Sequence, residues 1–203
     1  MTVFTIGHSN LALEAFLDLV CSHGIGLLVD VRSSPYCRYA VHFNRESLQA
    51  ALGGPGIEYL YLGNVLGGRP AGDEFYDDDG YVLYDRLAAS PAFEEGIDRL
   101  AFEAGQRRAA ILCGEEDPTH CHRRLLIGRV LAERGVTVLH LRGDGGAQTE
   151  EELARAEEHA RTGGQKTLFE LEEPPGWKST RSVSPGKAPP SSSVSCAEPE
   201  SVD

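Results

Sequence analysis

A chain of 203 residues, 41% hydrophobic and 25% charged, has the size and composition of one ordinary globular domain with some residues to spare. Its formal net charge of -12 at pH 7 argues against broad attraction to nucleic acid, and no apolar run approaches the roughly 20 residues of a membrane span. The N-terminus lacks a basic flank with an apolar core, so a cytoplasmic location is expected. Five widely spaced cysteines, an odd number, argue for reduced thiols rather than a disulfide framework.

In chain order, Val3 to Ile6 reads as a short apolar strand ending at Gly7-His8-Ser9-Asn10. Leu13, Phe16, Leu17 and Val20 then recur at helical spacing, with Gly24 as the stop. Ile25 to Val31 reads as a buried strand leading to Asp30-Val31-Arg32, and Arg45 to Leu52 as a short helix closed by Gly53-Gly54. Ile57 to Leu62 is a third strand, running into the turn-rich Gly67-Gly68-Arg69-Pro70. The acidic stretch 71–80 reads as a solvated loop. Ser90-Pro91 opens a helix to about Gly105; Ala109 to Cys113 is the fourth strand. A helix is expected from about Thr119 to Arg134, a fifth strand from Val136 to Leu141, and a last helix capped by Thr149 and Glu152.

Strands alternating with helices predict an α/β fold: a single three-layer domain with a mostly parallel five-stranded sheet flanked by helices, Rossmann-like in type. The expected divisions are a domain at 1–145, a helix with a peptide segment at 146–172, and a Pro/Ser/Gly-rich disordered tail at 173–203. Ligands of such sheets bind at the carboxyl ends of the strands, and there the polar clusters fall: His8-Ser9, Asp30-Arg32, Gly63 to Arg69, and Cys113 to Arg123.

The stretch Cys113-Gly114-Glu115-Glu116-Asp117-Pro118-Thr119-His120-Cys121-His122-Arg123-Arg124 carries the densest chemistry. Read as a helix opening at Asp117, it places Cys121 in the first turn, where the dipole and flanking cations favour thiolate. Free amides at that terminus and Arg123 suit a phosphate or carboxylate. Glu115 and Glu116 are candidates for acid/base work. Cys113 admits two readings, a nucleophile or ligand at a strand end, or a small buried hydrophobe. The same holds for His8, as base or phosphate binder against a hydrogen-bonded histidine at a sheet edge. Asp30 and Arg32, on one face of a strand, suit either an internal ion pair or contacts to a ribose hydroxyl and a phosphate. No metal is expected. The spacing lacks paired C-x2-C modules, and adjacent His120, Cys121 and His122 on a helix point apart. No cofactor is expected either, because Walker and Gly-x-Gly-x-x-Gly loops are missing.

Thr5-Ile6-Gly7-His8-Ser9-Asn10, Val29-Asp30-Val31-Arg32 with Pro35, Phe43-Asn44, Leu62-Gly63, Leu66-Gly67-Gly68-Arg69, Leu112-Cys113-Gly114-Glu115 and His120-Cys121-His122-Arg123 together resemble the DUF488 family, a domain of unknown function. The resemblance covers about residues 3–142 and implies a small α/β domain that is a suspected enzyme. It singles out Gly7, His8, Ser9, Asp30, Arg32, Arg69, Cys113, Glu115, Cys121, His122 and Arg123 as site candidates. Separately, Gln165-Lys166-Thr167-Leu168-Phe169 is similar to the bacterial sliding-clamp-binding pentapeptide, with Gln165, Leu168 and Phe169 as anchors.

The leading expectation is an enzyme of DNA maintenance, recruited by the clamp and acting on a damaged or modified nucleotide or base. Cys113 or Cys121 would be nucleophile or thiolate stabiliser and Glu115 the acid/base; His8, Arg32 and Arg123 would hold a phosphate or oxyanion. Alternatives are an enzyme on a free nucleotide or phosphorylated small molecule, and a non-catalytic thiol-redox or metal-binding module. No membrane partner is expected.

Overall fold

The computed structural model describes residues 1–162 and 176–183. Six strands form one sheet: β1 (Thr2–Gly7), β2 (Leu27–Asp30), β3 (Glu58–Tyr61), β5 (Ala109–Cys113), β6 (Thr137–Leu141) and β7 (Ala147–Thr149), while β4 (Tyr81–Leu83) pairs elsewhere. Their spatial order is β3-β2-β5-β1-β6-β7, parallel throughout except for β7, which runs antiparallel along β6. The expected five strands are therefore six, and the order is not that of the Rossmann fold, because β5 inserts between β1 and β2.

The helices cover both faces. Along β5 the side chains alternate: Ala109 and Ile111 face one apolar cluster, Ala110 and Leu112 the other. The second cluster is closed by α1 (Leu13–Ser22) and α2 (Arg45–Gly53) through Phe16, Val20, Leu48 and Leu52. The first is closed by α3 (Gly63–Leu66), α4 (Tyr84–Ala88), α5 (Pro91–Gln106) and α6 (Arg129–Glu133). Two expected helix signals act as read. Ser90 Oγ accepts from the Phe93 amide at 3.4 Å to start α5, and Thr149 and Glu152 exchange reciprocal bonds at the start of α7 (Glu150–Thr162).

From β1 the chain departs toward the β2 edge, and from β5 toward the β6 edge. β1 and β5 are neighbours, and their carboxyl ends, where Gly7 stands in register with Cys113, are the topological position at which sheets of this kind carry a ligand crevice. The expected tail is not wholly irregular. Residues 176–183 include β8 (Lys178–Ser182), antiparallel to β4. Trp177 anchors the strand by donating from Nε1 to the Leu125 carbonyl at 2.7 Å. Among the described residues no helix is long and apolar enough to cross a membrane.

Candidate functional site

The helix expected from Thr119 does not form as one piece. Asp117 caps a single 3₁₀ turn, Pro118–His120, by accepting from the Thr119 amide at 2.9 Å. Cys121 is then extended (φ -108°, ψ 137°), and the next helical run begins at His122, passing through a π-helical segment, Arg123–Gly128, into α6. The Cys121 carbonyl accepts from both the Arg124 and Leu125 amides at 3.0 Å, and its sulfur is met by the Arg123 amide. Cys121 is thus the N-cap of the helix rather than part of its first turn. This break has a geometric consequence. His120 is exposed and directed elsewhere, whereas Cys121 and His122 both turn toward Cys113.

At the centre, Cys113 Sγ lies 3.7 Å and Cys121 Sγ 3.9 Å from His122 Nδ1. The opposite nitrogen, Nε2, donates to the Val31 carbonyl at 3.2 Å, which orients the ring. Both cysteines are nearly sealed, at 7% and 2% exposure. A hydrogen bond from Cys121, reinforced by His122 and Arg123, outweighs burial and holds the Cys113 thiol well below its ordinary range. Cys121 is pushed the other way, by its own burial and by the charge of Cys113. Cys113 is therefore the more readily ionised thiol of the pair. Gly68 lies against the imidazole: a Cβ there would stand 2.8–2.9 Å from the His122 ring atoms Cγ and Nδ1.

His8 flanks this centre from β1. Its amide bonds to the Cys113 carbonyl at 3.0 Å, its Nδ1 donates to the Ser9 carbonyl at 2.8 Å, and its ring stacks on Phe43 at 4.3 Å. Burial, helped by Arg32, lowers its pKa to about 4, so the imidazole is neutral. Ser9 adopts φ +43°, unusual for a residue with a side chain, as the chain turns out of the sheet.

Arg32 and Arg123 are drawn inward. Arg32 forms a two-pronged pair with Asp30 (2.6 and 2.9 Å), donates to the Phe43 carbonyl at 2.9 Å, and reaches His8 Nε2 at 3.1 Å. Tyr59 adds a 2.7 Å bond to the same Asp30 carboxylate. Arg123 is wholly buried. It donates to Thr5 Oγ1 at 3.3 Å, to the Glu116 carbonyl at 2.6 Å and to the Glu115 carbonyl. In this arrangement both guanidiniums shape the walls and loop of the crevice instead of presenting a free fork to an anion. Gly7 belongs to the same construction, since a Cβ there would overlap the Glu115 carbonyl and the Arg123 side chain.

The remaining candidates spread outward. The Glu115 carboxylate is 3.4 Å from Arg181 on β8, and Glu116 is engaged by Arg142 at 2.8 Å. Arg69 is exposed, and its amide donates to Ser33 Oγ at 2.9 Å. Gln165, Leu168 and Phe169 lie outside the described residues. Sequence reasoning missed Phe43, Tyr59 and Gly68 as parts of the site, although Phe43 and Gly68 stand inside the motifs it used. It also missed a polar chain running from the core to the surface: Arg123 to Thr5, Thr5 to His140 Nδ1 (2.8 Å), and His140 Nε2 to the exposed Glu150 (3.3 Å), with Arg124 on the same carboxylate at 2.6 Å.

Fold and site together define an α/β protein with two buried thiols and a half-buried imidazole clustered at the carboxyl edge of a mostly parallel sheet, His8 standing beside them. The family model described as "Domain of unknown function DUF488" matches residues 12–130, more than half of the chain, and the protein belongs to that family. No curated protein and no solved structure shows significant similarity to the chain.

Proposed function

We propose that this protein is an enzyme of DNA maintenance that acts on a damaged or modified nucleotide or base in the crevice over β1 and β5. The observation that carries the enzyme reading is the meeting of Cys113, Cys121 and His122 in one cluster, with neutral His8 beside it, bonded through its amide to the Cys113 carbonyl. A packed core gains nothing from such a mixture, since each polar group must be desolvated and paired. His8 is suited to accept or relay a proton, and Glu115, the freer of the two loop carboxylates, is the candidate acid.

The base-directed part is supported by the loop following Arg32. Tyr36, Tyr39 and Val41 are 52%, 62% and 55% exposed there, and Arg38 lies 5.7 Å over the Tyr39 ring. Exposed aromatics interleaved with arginine are what unstacked bases pack on. The peptide at 165–169 supplies the recruitment half of the proposal, offsetting a net charge of -12 that disfavours DNA.

The test is turnover of a panel of oligonucleotides with single modified bases, against the corresponding free nucleotides. Loss of turnover is expected in at least one of Cys113→Ala, Glu115→Ala and Cys121→Ala. Wild-type rates in all three variants would sink the site assignment. Turnover of free nucleotides alone would favour the second reading, a small-molecule enzyme, which the nearly sealed cysteines and the acidic charge also suit. In parallel, a labelled peptide spanning residues 161–173 should bind a bacterial sliding clamp, and Gln165→Ala with Leu168→Ala and Phe169→Ala should abolish binding.

A further inference from the structure

Tetrahedral zinc holds thiolate sulfur at about 2.3 Å and imidazole nitrogen at about 2.0–2.1 Å, which sets neighbouring ligands about 3.6 Å apart for sulfur to nitrogen and about 3.8 Å for sulfur to sulfur. His122 Nδ1 stands 3.7 Å from Cys113 Sγ and 3.9 Å from Cys121 Sγ, and all three atoms lie within 4.8 Å of one another. The two sulfur–nitrogen spacings are close to the edges of a coordination tetrahedron, and three ligands leave one corner over.

We propose that Cys113, Cys121 and His122 bind a soft divalent metal ion, zinc in preference, through two thiolates and one imidazole, with the fourth position left to water or substrate.

Three further features of the site agree. First, His122 Nε2 donates to the Val31 carbonyl at 3.2 Å. That bond commits Nε2 as a donor, so Nδ1, the nitrogen facing the sulfurs, is the one left to a metal, the outer-shell arrangement usual for a metal-bound histidine. Second, the ligands are fixed in advance. The loop between Cys113 and Cys121 is tied down through its carbonyls by Arg123, Cys121 is held as a helix cap, and Gly68 leaves room for the imidazole. Third, the donor set itself selects: two sulfurs and a nitrogen, shielded from water, suit zinc rather than magnesium or calcium. Three protein ligands with an open corner mark reactive sites more than structural ones.

Adjacent His120, Cys121 and His122 point apart only on the assumption that they share one helix. The extended backbone at Cys121 removes that assumption, so neighbouring residues can converge on a point that Cys113 approaches from β5.

The metal is inferred from geometry alone, so it stands or falls separately from any nucleotide activity. The full chain, produced without a metal-binding tag, is stripped and titrated with zinc and with cobalt(II). One equivalent of cobalt should bind with near-ultraviolet thiolate-to-metal charge transfer and the visible bands of tetrahedral cobalt. Zinc should protect Cys113 and Cys121 from alkylation, mapped by peptide mass spectrometry, while exposed Cys21 continues to react. Gly68→Ala, which presses on the imidazole without removing a ligand, should weaken zinc by about 10- to 100-fold. Cobalt bound without charge transfer, or unchanged alkylation of both thiols in excess zinc, would overturn the proposal. Both readouts use the wild-type protein, so they do not depend on whether Cys113→Ser or Cys121→Ser folds.

Discussion

Arg32 donates through Nη1 to Nε2 of His8 across 3.1 Å, a contact that requires the imidazole to be neutral. Burial and then the Arg32 charge lower the His8 pKa from 6.5 to about 4; the Ser9 carbonyl, Cys113 and Asp30 oppose them and lose. In the unfolded chain the same histidine takes up a proton near pH 6.5. Between those two values the unfolded state binds the extra proton, so stability is complete above about pH 6.5 and is lost as pH falls toward 4. The expected loss is roughly 3 kcal/mol. Urea unfolding at pH 7.5 and pH 5 should show about 2 kcal/mol of that loss in the wild type, the rest coming at lower pH, and a much smaller drop in His8→Gln. Equal drops in the two proteins would remove His8 as the cause.

The second prediction concerns Arg123. Its removal leaves the Glu115 and Glu116 carbonyls and Thr5 without their donor beneath a closed loop. Each unpaired buried group costs about 1–3 kcal/mol. Arg123→Met, which keeps much of the volume, should therefore lose about 3 kcal/mol or more in chemical denaturation. It should also raise hydrogen exchange across residues 114–117. A stable variant with an unchanged loop would show that the arginine does not hold this turn.

How far these relationships could be read in advance differs between residues. The ends of β1, β2 and β5 were legible because a run of buried apolar residues stops abruptly at Gly7, at Asp30 and at Cys113. The order of those strands was not. β1, β2 and β5 are all nearly buried, so apolar content does not say which lies between the others. The break at Cys121 was hidden by the helical periodicity after it: Leu126, Ile127 and Leu131 pack as a helix should, and the cap depends on a sulfur accepting an amide. β7 and β8 were illegible for a different reason. They are short and polar, and β8 finds its partner nearly a hundred residues upstream. Arg32 and Arg123 were recognised as site residues by their motifs. That their donors turn inward follows from carbonyls and carboxylates brought close only by the fold.

Trp177 yields a third prediction. Its indole donates to the Leu125 carbonyl in the π-helical segment, the Arg129 guanidinium lies 4.3 Å above the ring, and Tyr84 meets it edge-on at 6.2 Å. With Leu125, Ala132 and Val138 it also lines a cavity of about 510 Å³. Trp177→Ala should cost about 2 kcal/mol, from the lost ring contacts and the freed carbonyl. Because β8 follows directly, its amides should exchange faster and the Arg181–Glu115 contact should loosen. An unaltered denaturation midpoint would mean that the strand is held by β4 alone.

The fourth prediction tests the rim of the crevice. The loop carrying Tyr36, Arg38, Tyr39 and Val41 is pinned from below: the Phe43 carbonyl accepts from Arg32, His42 donates to the Leu11 carbonyl at 3.0 Å, and the Arg45 amide bonds to the Pro35 carbonyl at 3.0 Å. A pinned loop can present an exposed ring at little entropic cost, and base stacking on an aromatic side chain contributes about 1–3 kcal/mol. Tyr39→Ala should therefore weaken binding of a labelled single-stranded oligonucleotide about tenfold, taking the lower part of that range for so exposed a ring. Arg38→Ala should weaken it too, and more at low salt than at high salt. Neither should change stability, since neither side chain is buried. Phe102, 63% exposed on α5, is the control: its replacement by alanine should leave binding untouched. If Tyr39→Ala and Phe102→Ala both bind like the wild type, the rim is not a base-stacking surface. If the wild type itself fails to bind, a small, freely diffusing substrate takes precedence over DNA.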